Sequence, residues 1–327
     1  MTMKKLRHQD ASVQHLLPLP FIVIGGYLGA GKTSLLNHLL SNAQGLRIAA
    51  LVNDFGSVNI DVDLVRNRDG DTIELSNGCM CCSLSDGFSE AIDRLSRRNA
   101  DFDRVVIEAS GVADPGRIAH FGRSFGLALD GIFVVVDAER IRRLSGDKFV
   151  GATVRGQLAE ADFIVLNKTD LITTQDHADV RVWLAQQTGD APVFNAVQGQ
   201  VPPEVIFGAR ETPIAVPAQP SFGFRFDHAD SFGTWIVERS LPLSHGALER
   251  FATGLGPDIY RAKGFVYLRG EPGHRYLYQQ VGARWSLDVY GAWSTAPLTR
   301  IVVIGRTGAT TTNALEAVLD GDANAHE

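Results

Sequence analysis

Phe21-Ile22-Val23-Ile24-Gly25-Gly26-Tyr27-Leu28-Gly29-Ala30-Gly31-Lys32-Thr33 is the stretch that decides the fold. Four apolar residues closed by glycines signal a short buried strand. Residues 26–33 fit the spacing G-x-x-x-x-G-K-[ST], and Leu35, Leu36, Leu39 and Leu40 follow at helical spacing. A strand, a glycine loop and a helix in that order make a phosphate cradle. Backbone N–H groups curl around phosphate oxygens, and the helix N-terminus adds a favourable dipole. In this pattern Gly26, Gly29, Ala30, Gly31 and Ser34 line the nucleotide, Lys32 reaches the β- and γ-phosphates, and Thr33 takes Mg²⁺. A glycine-rich turn beside a surface lysine is the plainer alternative.

Outward from this loop, further strand signals fall at Ile48–Val52, Thr72–Leu75, Val105–Glu108, Ile132–Val136, Phe163–Leu166 and Val193–Phe194. Helical patterns lie between several of them, at Gly87–Arg98 and Asp176–Gln187 for example. Nearly all-apolar strands alternating with helices predict an α/β fold, a doubly wound and mostly parallel sheet covered on both faces. Five of the 13 prolines (Pro202, Pro203, Pro213, Pro217 and Pro220) then crowd one stretch, which reads as a linker or extended edge connection. Beyond it Phe222, Phe224 and Phe226 alternate with polar residues. Strands are expected at Ser231–Val237, Gly264–Leu268, Tyr276–Val281 and Arg300–Ile304, with helices over Leu243–Gly254 (capped by Ser244) and Thr312–Leu319. The expected organisation is a loose arm over 1–19, a nucleotide-binding domain over 20–215 and a smaller α+β domain over 216–327.

Composition bounds the function. The chain has 327 residues, 45% hydrophobic and 21% charged, enough for a sizeable core and unlike a disordered or disulfide-knotted chain. A net charge of −6 argues against a global basic field for nucleic acid. No apolar run approaches the roughly 20 residues of a membrane helix, and residues 1–20, with no apolar stretch behind Lys4, Lys5 and Arg7, are not expected to act as a secretory signal. A cytoplasmic protein, with neither nucleic-acid nor membrane partners and no more than weak self-association, is expected.

Two strand ends carry further chemistry. Asn167-Lys168-Thr169-Asp170 follows the strand Phe163–Leu166. A carboxylate there can accept from both N1–H and N2–H₂ of guanine, a donor pair that adenine lacks, so the motif favours GTP over ATP. A charged capping loop with Asp170 as cap is the alternative. Val105-Val106-Ile107-Glu108-Ala109-Ser110-Gly111 places Glu108 at the carboxyl edge of the sheet, where it could orient a water or a metal-bound water. Asp54, in Asn53-Asp54-Phe55-Gly56, is a candidate Mg²⁺ ligand or a plain turn aspartate.

All three cysteines lie in Gly78-Cys79-Met80-Cys81-Cys82. In an extended segment Cys79 and Cys81 project to one side and Cys82 to the other. Two thiolates from one loop can clamp a soft or borderline cation, and the lack of a second pair suits a site that releases metal as well as accepting it. Buried structural cysteines, or a redox-active Cys81-Cys82 pair, are the alternatives.

Taken in order, the motifs at 26–33, 53–56, 78–82, 108–115 (Glu-Ala-Ser-Gly-Val-Ala-Asp-Pro) and 167–170 resemble the CobW-type metal-handling GTPases. Arg261-Ala262-Lys263-Gly264-Phe265 and Ile301-Val302-Val303-Ile304-Gly305 resemble that family's C-terminal domain. The resemblance implies a P-loop GTPase domain followed by a small sheet-and-helix domain. It implies a slow GTPase that loads a divalent metal, zinc or else cobalt, and passes it to a client metalloprotein. It also implies Cys79 and Cys81 as the principal metal ligands, with Cys82 weaker. Asp54 departs from the family's usual Glu, and Ser57 from a common acid. A regulatory GTP-binding switch with structural cysteines is the competing expectation.

Overall fold

The computed structural model describes residues 18–43, 45–52, 72–74, 95, 102–189, 191–207, 232–282, 284–293 and 296–320. Seven strands form the first sheet: β1 (Pro20–Gly25), β2 (Ile48–Val52), β3 (Thr72–Glu74), β4 (Arg104–Glu108), β5 (Ala128–Asp137), β6 (Phe163–Asn167) and β7 (Val193–Asn195). Their spatial order is β3-β2-β4-β1-β5-β6-β7, and every pair is parallel. Parallel neighbours need crossovers, which place helices on both faces and make the strands apolar throughout. Helix α1 (Lys32–Ser41) buries Leu35, Leu36 and Leu39 on one face. On the other, α2 (Pro115–Ser124) contributes Ile118 and Ala119 to the core. Past the short helix α3 (Ile141–Ser145), α4 (Gly151–Ala159) adds Val154 and Leu158 to that core, and α5 (Thr174–Thr188) adds Val180 and Leu184.

The register positions the site. Ile24 is level with Glu108 across β1 and β4, and Asp137 is level with Asn167 across β5 and β6. The strand carrying the glycine loop lies between β4 and β5, so chain connections leave it in opposite directions. Such a switch point opens a crevice at the carboxyl ends of the strands.

The second sheet is antiparallel, with strands β8 (Phe232–Arg239), β9 (Ile259–Val266), β10 (His274–Val281), β11 (Arg284–Ala292) and β12 (Thr299–Arg306) in the order β11-β10-β9-β12-β8. Helices α7 (His245–Gly254) and α8 (Thr312–Asp320) cover one face, with Leu248, Phe251, Leu315 and Leu319 against Tyr278, Ile301 and Val303. Ser244 caps α7, accepting from Ala247 N at 3.0 Å, as the sequence leads one to expect.

Three elements differ from the sequence reading. Pro203 opens a short helix, α6 (Pro203–Phe207), whose Val205, Ile206 and Phe207 join the core; proline at the first helical position loses no hydrogen bond that the helix would have made. Strand β9 starts at Ile259 rather than Gly264, because Arg261 and Lys263 have an anionic partner in the first domain. Strand β11 adds an edge beside β10. The expected strand at Phe222–Phe226 and most of the helix at Gly87–Arg98 lie outside the described residues; Leu95 is helical and buried.

The two sheets meet away from the crevice. Asp130, near the start of β5, is fully buried between Arg104 of β4 and Arg261 and Lys263 of β9; Arg261 Nη2 lies 3.0 Å and Lys263 Nζ 3.7 Å from its carboxylate. Burial works against the ionised carboxylate, yet the three cations outweigh it and hold Asp130 well below the usual carboxylate range. Arg261 also donates to Ile206 O at 3.1 Å. Tyr260 meets Phe194 edge to face, with centroids 5.3 Å apart, and Arg284 pairs with Asp162.

Candidate functional site

The glycine loop turns directly off β1. Gly26 adopts φ +131°, and a Cβ there would fall 2.2 Å from Val135 O, so only glycine lets the loop lie against β5. Gly31 adopts φ +107°, and its Cβ would meet Asn167 Nδ2 at 2.1 Å. Ala30 N closes the turn on Tyr27 O at 3.2 Å. Gly31 then caps α1 with no side-chain cap bond, so the first turn, Lys32 to Ser34, presents its amides at the crevice. Lys32 is buried at the helix start, and Ser34 is exposed.

Glu108 ends β4 beside this turn, 3% exposed, and its Oε1 accepts from Thr33 Oγ1 at 2.8 Å. A carboxylate and a hydroxyl in contact at a helix N-terminus are two hard oxygen donors, the donor type that Mg²⁺ takes. Thr33 and Glu108 therefore fit a magnesium site.

Asn167-Lys168-Thr169-Asp170 braces the glycine loop from behind. Asn167 Nδ2 donates to Ala30 O at 2.9 Å, and its Oδ1 accepts from Gly199 N at 2.9 Å. Lys168, held at φ +63°, donates to Gly29 O at 2.8 Å and pairs with Asp137 Oδ2 at 2.7 Å. Asp170 lies in a single 3₁₀ turn, Thr169–Leu171, and is exposed. Three of the motif's four residues thus make described bonds to the protein, the third through Thr169 N to Ala196 O at 3.3 Å, while Asp170 is exposed.

Two contributors escape the sequence reading. Asp137 ends β5 as Glu108 ends β4, and the same signal, Val134-Val135-Val136 followed by an acid, would have found it. The loop after β7, with Gln198 at φ +52° and Gly199 at φ +71°, packs its backbone against α1; a Cβ on Gly199 would fall 2.5 Å from Leu35 N. Nothing local in that loop marks it. Asp54, Cys79, Cys81 and Cys82 lie outside the described residues. Among the described residues no cluster of three or more His, Cys, Asp or Glu is placed to hold a metal.

Residues 20–195 match the model of the CobW/HypB/UreG nucleotide-binding domain, and residues 232–321 that of the cobalamin synthesis protein cobW C-terminal domain. The chain belongs to the CobW family of P-loop GTPases. Within that family it is 32% identical over 305 residues to the zinc chaperone YjiA of Escherichia coli, covering 88% of this chain and 94% of YjiA. It is 33% identical over 330 residues to the zinc chaperone CobW of a Sinorhizobium species, covering 88% and 92% of the two chains. A zinc-regulated GTPase metalloprotein activator of Schizosaccharomyces pombe is 34% identical over 195 residues, 56% of this chain and 47% of that one. The matched nucleotide-binding region holds every described element of the crevice up to Asn195, including the glycine loop, Glu108 and Asn167.

Proposed function

We propose that this CobW-family chain uses a cycle of GTP binding and hydrolysis to load a divalent transition metal, zinc, and hand it to a client metalloprotein. The observation that carries the reading is the register that brings Glu108, Asp137 and Asn167 to one sheet edge around the glycine loop, in a chain whose relatives are named zinc chaperones. In this reading Gly26, Gly29, Ala30, Gly31 and Ser34 surround the phosphates, and Lys32 neutralises the β- and γ-phosphates. Asp170 accepts the guanine N–H donors, while Asn167 and Lys168 brace the glycine loop beside it. Thr33, which donates to Glu108, would hold Mg²⁺, joined by Asp54; when bound, the ion would neutralise developing phosphate charge. Glu108 orients the attacking water. Zinc is cargo, gripped by the thiolates of Cys79 and Cys81 with Cys82 in support. The client's identity is set by surfaces beyond the nucleotide site. No described helix is long and apolar enough to cross a membrane.

Linkage supplies the test. If GTP tightens metal binding, metal tightens GTP binding by the same factor. Zn²⁺ affinity measured with a non-hydrolysable GTP analogue should exceed that with GDP and collapse in Cys79→Ala. Co²⁺ should give thiolate charge-transfer absorption in the near ultraviolet. Equal affinities with the two nucleotides would refute the coupling, and a silent cobalt spectrum would assign the cysteines to structure and leave a regulatory GTP switch.

A further inference from the structure

We infer that Gln157 is a positioning residue that holds the loop between Glu108 and Pro115 against the phosphate loop, and so sets the preference for GTP over GDP. Gln157 lies on α4, 3% exposed, among the core residues Val154 and Leu158. A buried amide on such a face costs free energy unless its donors are used. Both of its bonds run to one place: Nε2 donates to Gly111 O at 3.2 Å and to Ala113 O at 2.9 Å. Replacement by an apolar residue of the same shape would leave two carbonyls of that loop without this donor.

The loop so held rests on the glycine loop. A Cβ on Gly111 would fall 2.5 Å from Leu28 Cδ2 and 2.9 Å from Leu28 N. Its other anchors lie at its ends: Ala109 N donates to Ile24 O at 2.9 Å, and Asp114 caps α2 by accepting from Gly116 N at 2.9 Å. Between them, Ala113 N turns back to Ser110 O at 3.0 Å. The peptide group is planar, so aiming the Gly111 carbonyl at Gln157 points the Val112 N–H away from α4. Ser110 Oγ, in a residue 6% exposed, has no hydrogen-bond partner among the described residues. A buried hydroxyl in that condition, next to the loop that cradles phosphate, indicates a ligand group that completes it. The γ-phosphate is the group that distinguishes GTP from GDP, and Gln157 fixes the height of the segment that would meet it.

The test compares the full-length chain with Gln157→Met, which keeps length and packing but removes both donors, and with Gln157→Glu, which faces two carbonyls with an acceptor. Each is assayed with Mg²⁺ for affinity toward GDP and a non-hydrolysable GTP analogue, for kcat and KM of GTP hydrolysis, and for Tm. Gln157→Met should weaken the analogue and lower kcat by about tenfold, the size expected for two net hydrogen bonds, with GDP affinity unchanged. Gln157→Glu should lose more in the same measurements. A folded Gln157→Met that binds both nucleotides as the parent does, or weakens both equally, overturns the inference. If Gln157→Met does not fold, the same comparison in Gln157→Asn, which keeps the amide but draws it back by one methylene, decides. The affinity ratio reads this inference even in a chain that hydrolyses GTP slowly, so its failure is distinguishable from a failure of the metal-transfer reading.

Discussion

Asp130 and Asp137 sit near the start and at the end of the same strand, β5, and the protein uses them in contrasting ways. Asp130 is enclosed by side chains alone, Arg104 from the first domain and Arg261 and Lys263 from the second, so that one carboxylate joins two domains. Asp137 pairs with one lysine, and the other atoms in its surroundings are backbone: Glu139 N at 3.1 Å and Arg140 N at 3.2 Å on its own carboxylate, and Gly29 O on the lysine. The first arrangement is closed to solvent. The second holds a loop in shape while leaving its outer surface to a ligand. A site that must admit and release a nucleotide is built on main-chain geometry, whereas a permanent domain contact can rely on buried charge.

The contrast can be broken most severely at Asp130. Asp130→Ala leaves three cations facing one another in a buried junction and should cost about 3–5 kcal/mol in urea unfolding, against about 2 kcal/mol for Asp137→Ala, which loses the partly exposed Lys168 pair and two backbone N–H bonds. Equal losses would mean that the domain junction is not held by charge. Next in size, Asn167→Ala removes two buried bonds that tie Ala30 O and Gly199 N together. Affinity for GTP and GDP alike should fall roughly 10- to 100-fold by calorimetry, with the domain junction intact. A change in stability without a change in affinity would contradict the bracing role.

The smallest effect belongs to His38 and shows as a pH dependence, beside a larger one from Asp130. The carboxyl of Asp130 is held below its unfolded value of 3.8. Its contribution to stability is complete above that value and is lost as pH falls from there toward the folded pKa. His38 is also lowered from 6.5, by burial that outweighs its bond to Val201 O. The unfolded chain therefore takes up that proton first, and stability should decline gently as pH falls below 6.5. In His38→Gln the decline near pH 6 should vanish while the steep loss below pH 4 remains. Retention of both limbs would place the neutral-range titration elsewhere.

The glycine loop and the Asn167–Asp170 motif were legible because their chemistry is local: spacing alone places glycines at the turn and a carboxylate beyond a strand end. Glu108 was legible for the same reason, and Asp137 would have been. Gln157, Gly199 and the Arg104–Asp130–Arg261–Lys263 junction could not be read, since each depends on elements that only tertiary packing brings together. Arg261 and Lys263 even obscured their own strand, because two cations in an apolar run look like solvent-facing residues until the buried anion is known. Strand β11 carries the alternation Trp285-Ser286-Leu287-Asp288-Val289, a period-two signal legible in the residues themselves. The cysteine motif was conspicuous from composition, yet Cys79, Cys81 and Cys82 lie outside the described residues, so their chemistry rests on the sequence.

Residues Ile132 to Val136 of β5 are locked alternately into the cores above and below the sheet. The strand is therefore a strut that cannot bend without disturbing both layers. At ~3.3 Å per residue it keeps the buried Asp130 cluster roughly 20 Å from Asp137 at the nucleotide end. Anything that couples the Asp130 cluster to the nucleotide has to act across that distance.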